Sequence, residues 1–322
     1  MTTLNFSPLK LHLGYKEQLS LLKERGLVVA DDAGAVATLQ RLNYYRLSGY
    51  WYPFRKTKPK GERGRFDGFQ PDTTLDVIVA LYEFDRHLRL LVMSAVERIE
   101  VGLRIDIAHQ LGARHRRAHE VPALLDGNFT GKVIDRKTGK TAYDEWCDKF
   151  CKSIAKSKTE FVKHHVDYYG GHLPIWVAVE LWEFGQLSKF FQGMKASDQN
   201  HIATRYGLPH GKILASWLRT LNFLRNVSAH HARLWNGNIT AVPSFPDCQP
   251  HHHLHHVKQH EMAKVRAYGP LAIIQYMLRR ISPDDRWGEK LKALSQQFPV
   301  SKVVSLYDAG FPEGWEQKSL WK

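Results

Sequence analysis

The stretch Pro71–Leu111, PDTTLDVIVALYEFDRHLRLLVMSAVERIEVGLRIDIAHQL, decides the fold. Leu75, Ile78, Val79, Tyr82, Leu88, Leu91, Val92, Ala95, Ile99 and Leu103 recur at helical spacing, which sets them along one face of a helix. Pro71 and Asp72 supply a start signal. The segment therefore predicts one long core helix, straight or kinked. Few alternating runs elsewhere are long enough for strands, so the class read from the sequence is all-α, a multi-helix bundle.

Working outward, Tyr15–Gly26 reads as a short helix ended by glycine, and Ala33–Leu47 as a second whose tail carries Tyr44, Tyr45 and Arg46. Lys56–Gly68 is a basic loop rich in glycine and proline, a phosphate contact or simply a solvated segment. On the other side, Gly127–Ala142 has turn residues for a small hairpin or an irregular excursion, and Tyr143–Tyr169 reads as a helix. Pro174 opens a strongly apolar helix through Phe191. A helix from Lys212 to Leu234 puts Leu214, Trp217, Leu218, Leu221, Leu224 and Val227 on its apolar face. After a linker at Pro243–Pro250 come helices over His260–Arg280 and Trp287–Phe298. The expected organisation is an N-terminal helical segment with a basic loop (1–70), a helical core (71–240), and a C-terminal linker with helices (241–322).

The chain has 322 residues, with 46 Lys+Arg against 32 Asp+Glu and a formal net charge of +14. Such an excess favours polyanions through counterion release, so a nucleic acid is the leading partner class, against the plainer reading of a basic protein with dispersed charge. No apolar run approaches the roughly 20 residues that span a bilayer. The first residues, MTTLNFSPLKLHLG, lack a basic segment followed by an apolar one, so no membrane partner and a cytoplasmic location are expected. Cys147, Cys151 and Cys248 form no C-x-x-C pair and read as reduced thiols.

Chemistry concentrates in LRNVSAHHARLWN, Leu224–Asn236. A histidine transfers protons near neutral pH, and an arginine grips a phosphate through two parallel hydrogen bonds. Arg225 and His230, five apart, would sit about 140° apart on a regular helix and line two sides of a groove. Asn226 and His230, four apart, share a face, so the amide would orient the imidazole. A bare R-x4-H pattern is weak evidence, since Arg104/His109, Arg114/His119 and Arg205/His210 repeat it. The second and third read as coincidences; the first reads as a helix-face salt bridge or as a second catalytic half. A plain polar helix end remains the alternative for Arg225/His230. The tract HHHLHHVKQH, His251–His260, reads as a surface loop rather than a metal site, because no cysteine is near and Glu261 is only an edge neighbour. No cofactor and no metal are expected.

The chain resembles the abortive-infection (Abi-like) bacterial proteins, whose catalytic module belongs to the HEPN ribonuclease superfamily. The resemblance runs along most of the chain. It is carried by Gln18, Leu22, Arg25, Gly26 and Leu27; by Asn43-Tyr44-Tyr45-Arg46-Leu47-Ser48-Gly49-Tyr50; and by Leu81-Tyr82-x-Phe84-Asp85-Arg86-x-Leu88-Arg89 with Glu97, Glu100 and Arg104. Pro174-x-Trp176, Glu180 and Phe184-Gly185-x-Leu187-Ser188 continue it, followed by Arg225-Asn226-x-x-x-His230-His231-x-Arg233-Leu234-Trp235-Asn236 and Gly310-Phe311-Pro312-x-x-Trp315.

That resemblance implies a HEPN-type core with helical extensions packed on it, and a metal-independent endoribonuclease acting as a growth-arresting toxin in phage defence. It implies a homodimer in which two motif helices flank one phosphate, restrained by a non-coding RNA or protein inhibitor. On this reading His230 and Arg225 are catalytic with Asn226 in support, His231 and Arg233 bind RNA, and Tyr44, Tyr45 and Arg46 hold unpaired bases unless the tyrosines belong to the core. The competing expectations are a non-catalytic module that sequesters a structured RNA and, more weakly, a metal-dependent hydrolase built on the histidine tract.

Overall fold

The computed structural model describes residues 11–247, 249 and 252–322. The thiol of Cys248, Pro250, the first histidine of the tract, His251, and most of the opening segment lie outside them. The chain divides into two compact units, one formed by the residues up to Arg86 with Gln297–Ser305, the other by His87–Gln296 with Leu306–Lys322.

The first unit holds α1 (Tyr15–Glu24), α2 (Asp32–Leu42), α3 (Tyr44–Trp51) and a small antiparallel hairpin of β1 (Arg55–Thr57) and β2 (Arg65–Phe69). Asp31 caps α2 by accepting from the main-chain N–H groups of Ala33 and Gly34. The single helix expected over Ala33–Leu47 is broken at Asn43, whose φ is +68°. Its side chain accepts from the N–H of Tyr45 at 2.8 Å and so starts α3 on a new axis. The basic loop is the hairpin, with Arg55 opposite Phe69 and Thr57 opposite Arg65.

The long helix α4 (Leu75–Gly112) is unbroken over 38 residues and supplies residues to both units. In the second unit its stripe of Leu88, Val92, Ala95, Ile99 and Leu103 is fully buried, each of the leucine, valine and isoleucine side chains contributing about 1.5–3 kcal/mol of apolar burial. Next come α5 (Gly127–Gly131), a short hairpin of β3 (Val133–Asp135) and β4 (Lys140–Thr141), α6 (Ala142–Lys156) and α7 (Glu160–Tyr169). Thr141 and Asp144 form a reciprocal capping box at the start of α6. The helix expected over Tyr143–Tyr169 ends at Lys156 because Ser157 turns extended.

After Pro174 come α8 (Ile175–Ala178), a single 3-10 turn at Val179–Leu181, α9 (Phe184–Gln192), α10 (Ala196–Arg205) and α11 (Gly211–Ala229). The apolar helix expected from Pro174 to Phe191 is interrupted at Trp182, which is extended and fully buried. Its ring meets Trp146 edge-on at 4.9 Å and Phe190 at 4.5 Å, so aromatic packing outweighs helix continuity there. The C-terminal helices are α12 (His255–Gln259), α13 (Glu261–Val265), α14 (Tyr268–Ile281) and α15 (Trp287–Ser295). The helix expected from His260 to Arg280 breaks at Arg266, which is extended. The fold is all-α, its strands confined to the two hairpins among the described residues. No helix of the described residues is long and apolar enough to cross a membrane.

Candidate active site

Helix α11 is fixed by a fully buried face, Leu214, Trp217, Leu218, Leu221 and Leu224. Two side-chain bonds tie it to the chain that follows: Trp217 Nε1 donates to the carbonyl of Ser244 at 2.8 Å, and Thr220 Oγ1 to that of Ala241 at 2.6 Å. Arg225 and Asn226 therefore stand on a rigid element with their side chains half-buried.

The helix stops sooner than the pattern through Leu234 predicts. His230 is its C-cap, and His231 takes the left-handed conformation at φ +57°. The N–H of His231 donates to the carbonyl of Ser228 at 3.1 Å and that of Ala232 to Val227 at 2.9 Å, the pair of bonds of a Schellman turn. Glycine is the usual residue at such a position, and histidine there carries backbone strain. Beyond the turn the chain is pinned: Leu234 and Trp235 are buried, Arg89 Nη1 approaches the carbonyl of Ala232 at 3.5 Å, and Arg266 Nη1 donates to that of Asn236 at 2.6 Å. The result holds the exposed imidazole of His230 at the mouth of a fixed turn.

Among the described residues, Asn226 makes no side-chain hydrogen bond to that imidazole. Its main-chain carbonyl accepts from the N–H of His230 at 2.9 Å, while its side-chain Oδ1 accepts from Arg225 Nη1 at 3.4 Å. The amide faces the guanidinium. Glu100 on α4 belongs to the same neighbourhood: burial pushes its carboxyl up, and the positive charges of Arg104 and Arg225 pull it back down. Arg104 Nη2 donates to Glu100 Oε1 at 2.5 Å and to the carbonyl of Trp182 at 2.9 Å. Arg104 is thus the helix-face salt bridge of the two readings offered for Arg104/His109, while His109 is exposed five residues on.

A family model described as Abi-like protein matches residues 37–236. The chain belongs to that family. The match takes in Tyr44–Arg46 and the whole of Arg225–Asn236, but neither the Gln18–Leu27 segment nor Gly310–Trp315. No curated protein and no solved structure matches the chain.

The remaining site candidates of this Abi-like chain fall as follows. His231 and Arg233 lie on the turn itself, exposed and half-buried respectively. Tyr44, Tyr45 and Arg46 belong to the first unit. Tyr44 accepts from Arg25 Nη1 at 3.0 Å and meets the Trp51 ring edge-on at 4.9 Å, a packing role, whereas Tyr45 is 86% exposed. Tyr50 is core, donating its hydroxyl to buried Asp85 at 2.6 Å.

Over its described residues, the histidine tract is not a solvated loop but runs into α12. His256 is hydrogen-bonded through Nε2 to the hydroxyl of Tyr268 at 2.7 Å and its pKa is pushed down to about 4 by burial. His253 Nδ1 meets Ser319 Oγ at 2.9 Å, and His260 Nδ1 caps α13 by accepting from Ala263. The rings of His253, His256 and His260 are spent on these contacts, and among the described residues no group of three or more His, Cys, Asp or Glu side chains is placed to hold a metal ion. Arg89 stands in the family signature without a role legible from the residues around it, because its reach to the turn spans 143 residues and has no local signal.

Proposed function

We propose that this Abi-like protein acts in abortive infection against phage as a HEPN-type endoribonuclease that cuts RNA without a metal, by attack of the ribose 2′-OH on the adjacent phosphate. One observation carries the reading: an exposed imidazole, His230, is fixed at the cap of α11 five residues after an arginine held on the same helix. A proton-transfer group and a phosphate-gripping cation are what this chemistry requires.

In the proposed step, His230 takes the 2′-OH proton as the oxygen bonds to phosphorus, and the bond from phosphorus to the 5′-oxygen breaks. His230 of the partner subunit, protonated, gives its proton to the leaving 5′-oxygen. The product is a 2′,3′-cyclic phosphate and a free 5′-OH. Arg225 stabilises the charge that grows on the phosphoryl oxygens, and Asn226, facing the guanidinium, holds it in place. The two-fold arrangement makes the active form a homodimer, for which the exposed side chains of Leu90 and Ile105 on α4 and Trp176 on α8 supply apolar surface to cover. An enzyme of this kind needs restraint in the cell, by a non-coding RNA or a protein.

The test is a substrate RNA remade with one 2′-O-methyl ribose at a mapped cleavage site. Cutting should vanish at that bond alone; continued cutting there removes the 2′-OH from the mechanism.

A further inference from the structure

An open groove of about 780 Å³ runs beside the candidate active site, between α6, α9 and α11. Lys149, Lys152 and Lys156 stand on one face of α6 at three- and four-residue spacing, facing Lys189 of α9 and Arg219 of α11 across it. All five are exposed. Among the described residues, none of the four lysines has a carboxylate within ion-pair distance, and Arg219 meets only the amide oxygen of Gln192, at 3.4 Å. Two carboxylates, Glu145 and Glu183, also line the groove; the cations outnumber them, so the field there favours an anion.

The groove's wall leads to the site. Arg219, Asn222, Phe223 and Asn226 line it along α11, and His230 continues the same face, eleven residues and about 16 Å along the axis from Arg219. Asn222 sits directly against Gly185, where a Cβ would come within 3.4 Å of its amide oxygen, so the floor of the groove is glycine backbone there. Phe223 is half-buried and lines the groove, an aromatic ring of the kind on which bases stack. Unpaired cations along a channel, with an aromatic ring and amides between them, make up the chemistry that tracks a single-stranded nucleic acid.

We infer that this groove is the track for the RNA strand, its phosphates running along Lys149, Lys152, Lys156, Lys189 and Arg219 so that one bond is delivered to Arg225 and His230. The inference rests on the ribonuclease reading for its direction, and its test is separable from that reading.

The probe is a 5′-labelled, unstructured RNA of about 20 nucleotides, the length a strand needs to cover several contacts. Its affinity is measured against salt concentration for full-length His230→Ala protein, which removes cleavage from the readout. Adding Lys152→Ala, Lys156→Ala and Lys189→Ala should shrink the slope of log K against log salt by about 2 and weaken binding at least about tenfold at moderate salt. Lys→Arg at the three positions should keep the parent slope. A control of Lys132→Ala, Lys137→Ala and Lys290→Ala, all elsewhere on the surface, should move it little. Matching melting curves establish that each variant is folded. An unchanged slope in the groove variant, or no RNA binding by the parent, overturns the track even where wild-type protein cleaves. Groove-dependent binding alongside a wild-type protein that never cleaves upholds the track and sinks the ribonuclease reading.

Discussion

The main-chain N–H of Ala232 donates to the carbonyl of Val227 at 2.9 Å, closing the left-handed turn that ends α11 and sets the His230 ring at its mouth. His231 is the residue that makes the turn, at φ +57°. Because strain at positive φ is worst for β-branched side chains and least for glycine, His231→Gly should melt above His231→Val by about 1–2 kcal/mol of stability. Equal melting temperatures would mean the turn is not left-handed in solution.

The guanidinium of Arg225 has a role that a point charge cannot fill. Arg225→Lys keeps the charge but loses the fork that holds two phosphoryl oxygens at once. Cleavage should fall by about 10²- to 10³-fold, with RNA affinity and melting temperature close to wild type. A lysine enzyme of near-normal rate would place the phosphate elsewhere.

Burial pushes the Glu100 carboxyl up, against the pull of Arg104 and Arg225. With the folded pKa above the unfolded one, the native state holds the extra proton, so this group's contribution to stability is full below about 4.5 and is lost as pH rises through the folded value. Glu100→Gln should flatten that part of the stability curve in denaturant titrations taken between acid and neutral pH. A mutant curve as steep as the wild type's would assign the slope to another group.

In the first unit, Asp85 is fully buried and accepts from the Tyr50 hydroxyl. Tyr50→Phe removes that donor from a buried carboxylate and should cost about 1–3 kcal/mol, read as a lower denaturation midpoint with unchanged slope. No loss would mean that water or another donor replaces the phenol.

The all-α class and α4 were legible because a buried face at helical period runs uninterrupted through 38 residues. The end of α11 was not. His230-His231-Ala232-Arg233 contains no glycine or proline to mark a stop, and the left-handed turn and the chain just beyond it are held by groups far along the chain, Arg89 on Ala232 and Arg266 on Asn236. Asn43 and Trp182 break expected helices for different reasons, a side-chain cap in the first case and burial among aromatic rings in the second. Arg225 and His230 were readable as a motif, but the guanidinium contact of Asn226 was not, since four-residue spacing points equally to His230. The groove lay hidden for a related reason: the lysine spacing on α6 signals only an amphipathic helix, and the facing cations come from helices 33 and 63 residues further on, measured from Lys156 to Lys189 and to Arg219.

The most direct test of the central claim is incubation of purified wild-type and His230→Ala protein with labelled single-stranded RNA in excess EDTA, followed by end-group analysis of the fragments. The account predicts cleavage by the wild type alone, leaving 2′,3′-cyclic phosphate and 5′-OH ends. Equal cleavage by both proteins, or loss of wild-type cleavage to the chelator, would contradict it.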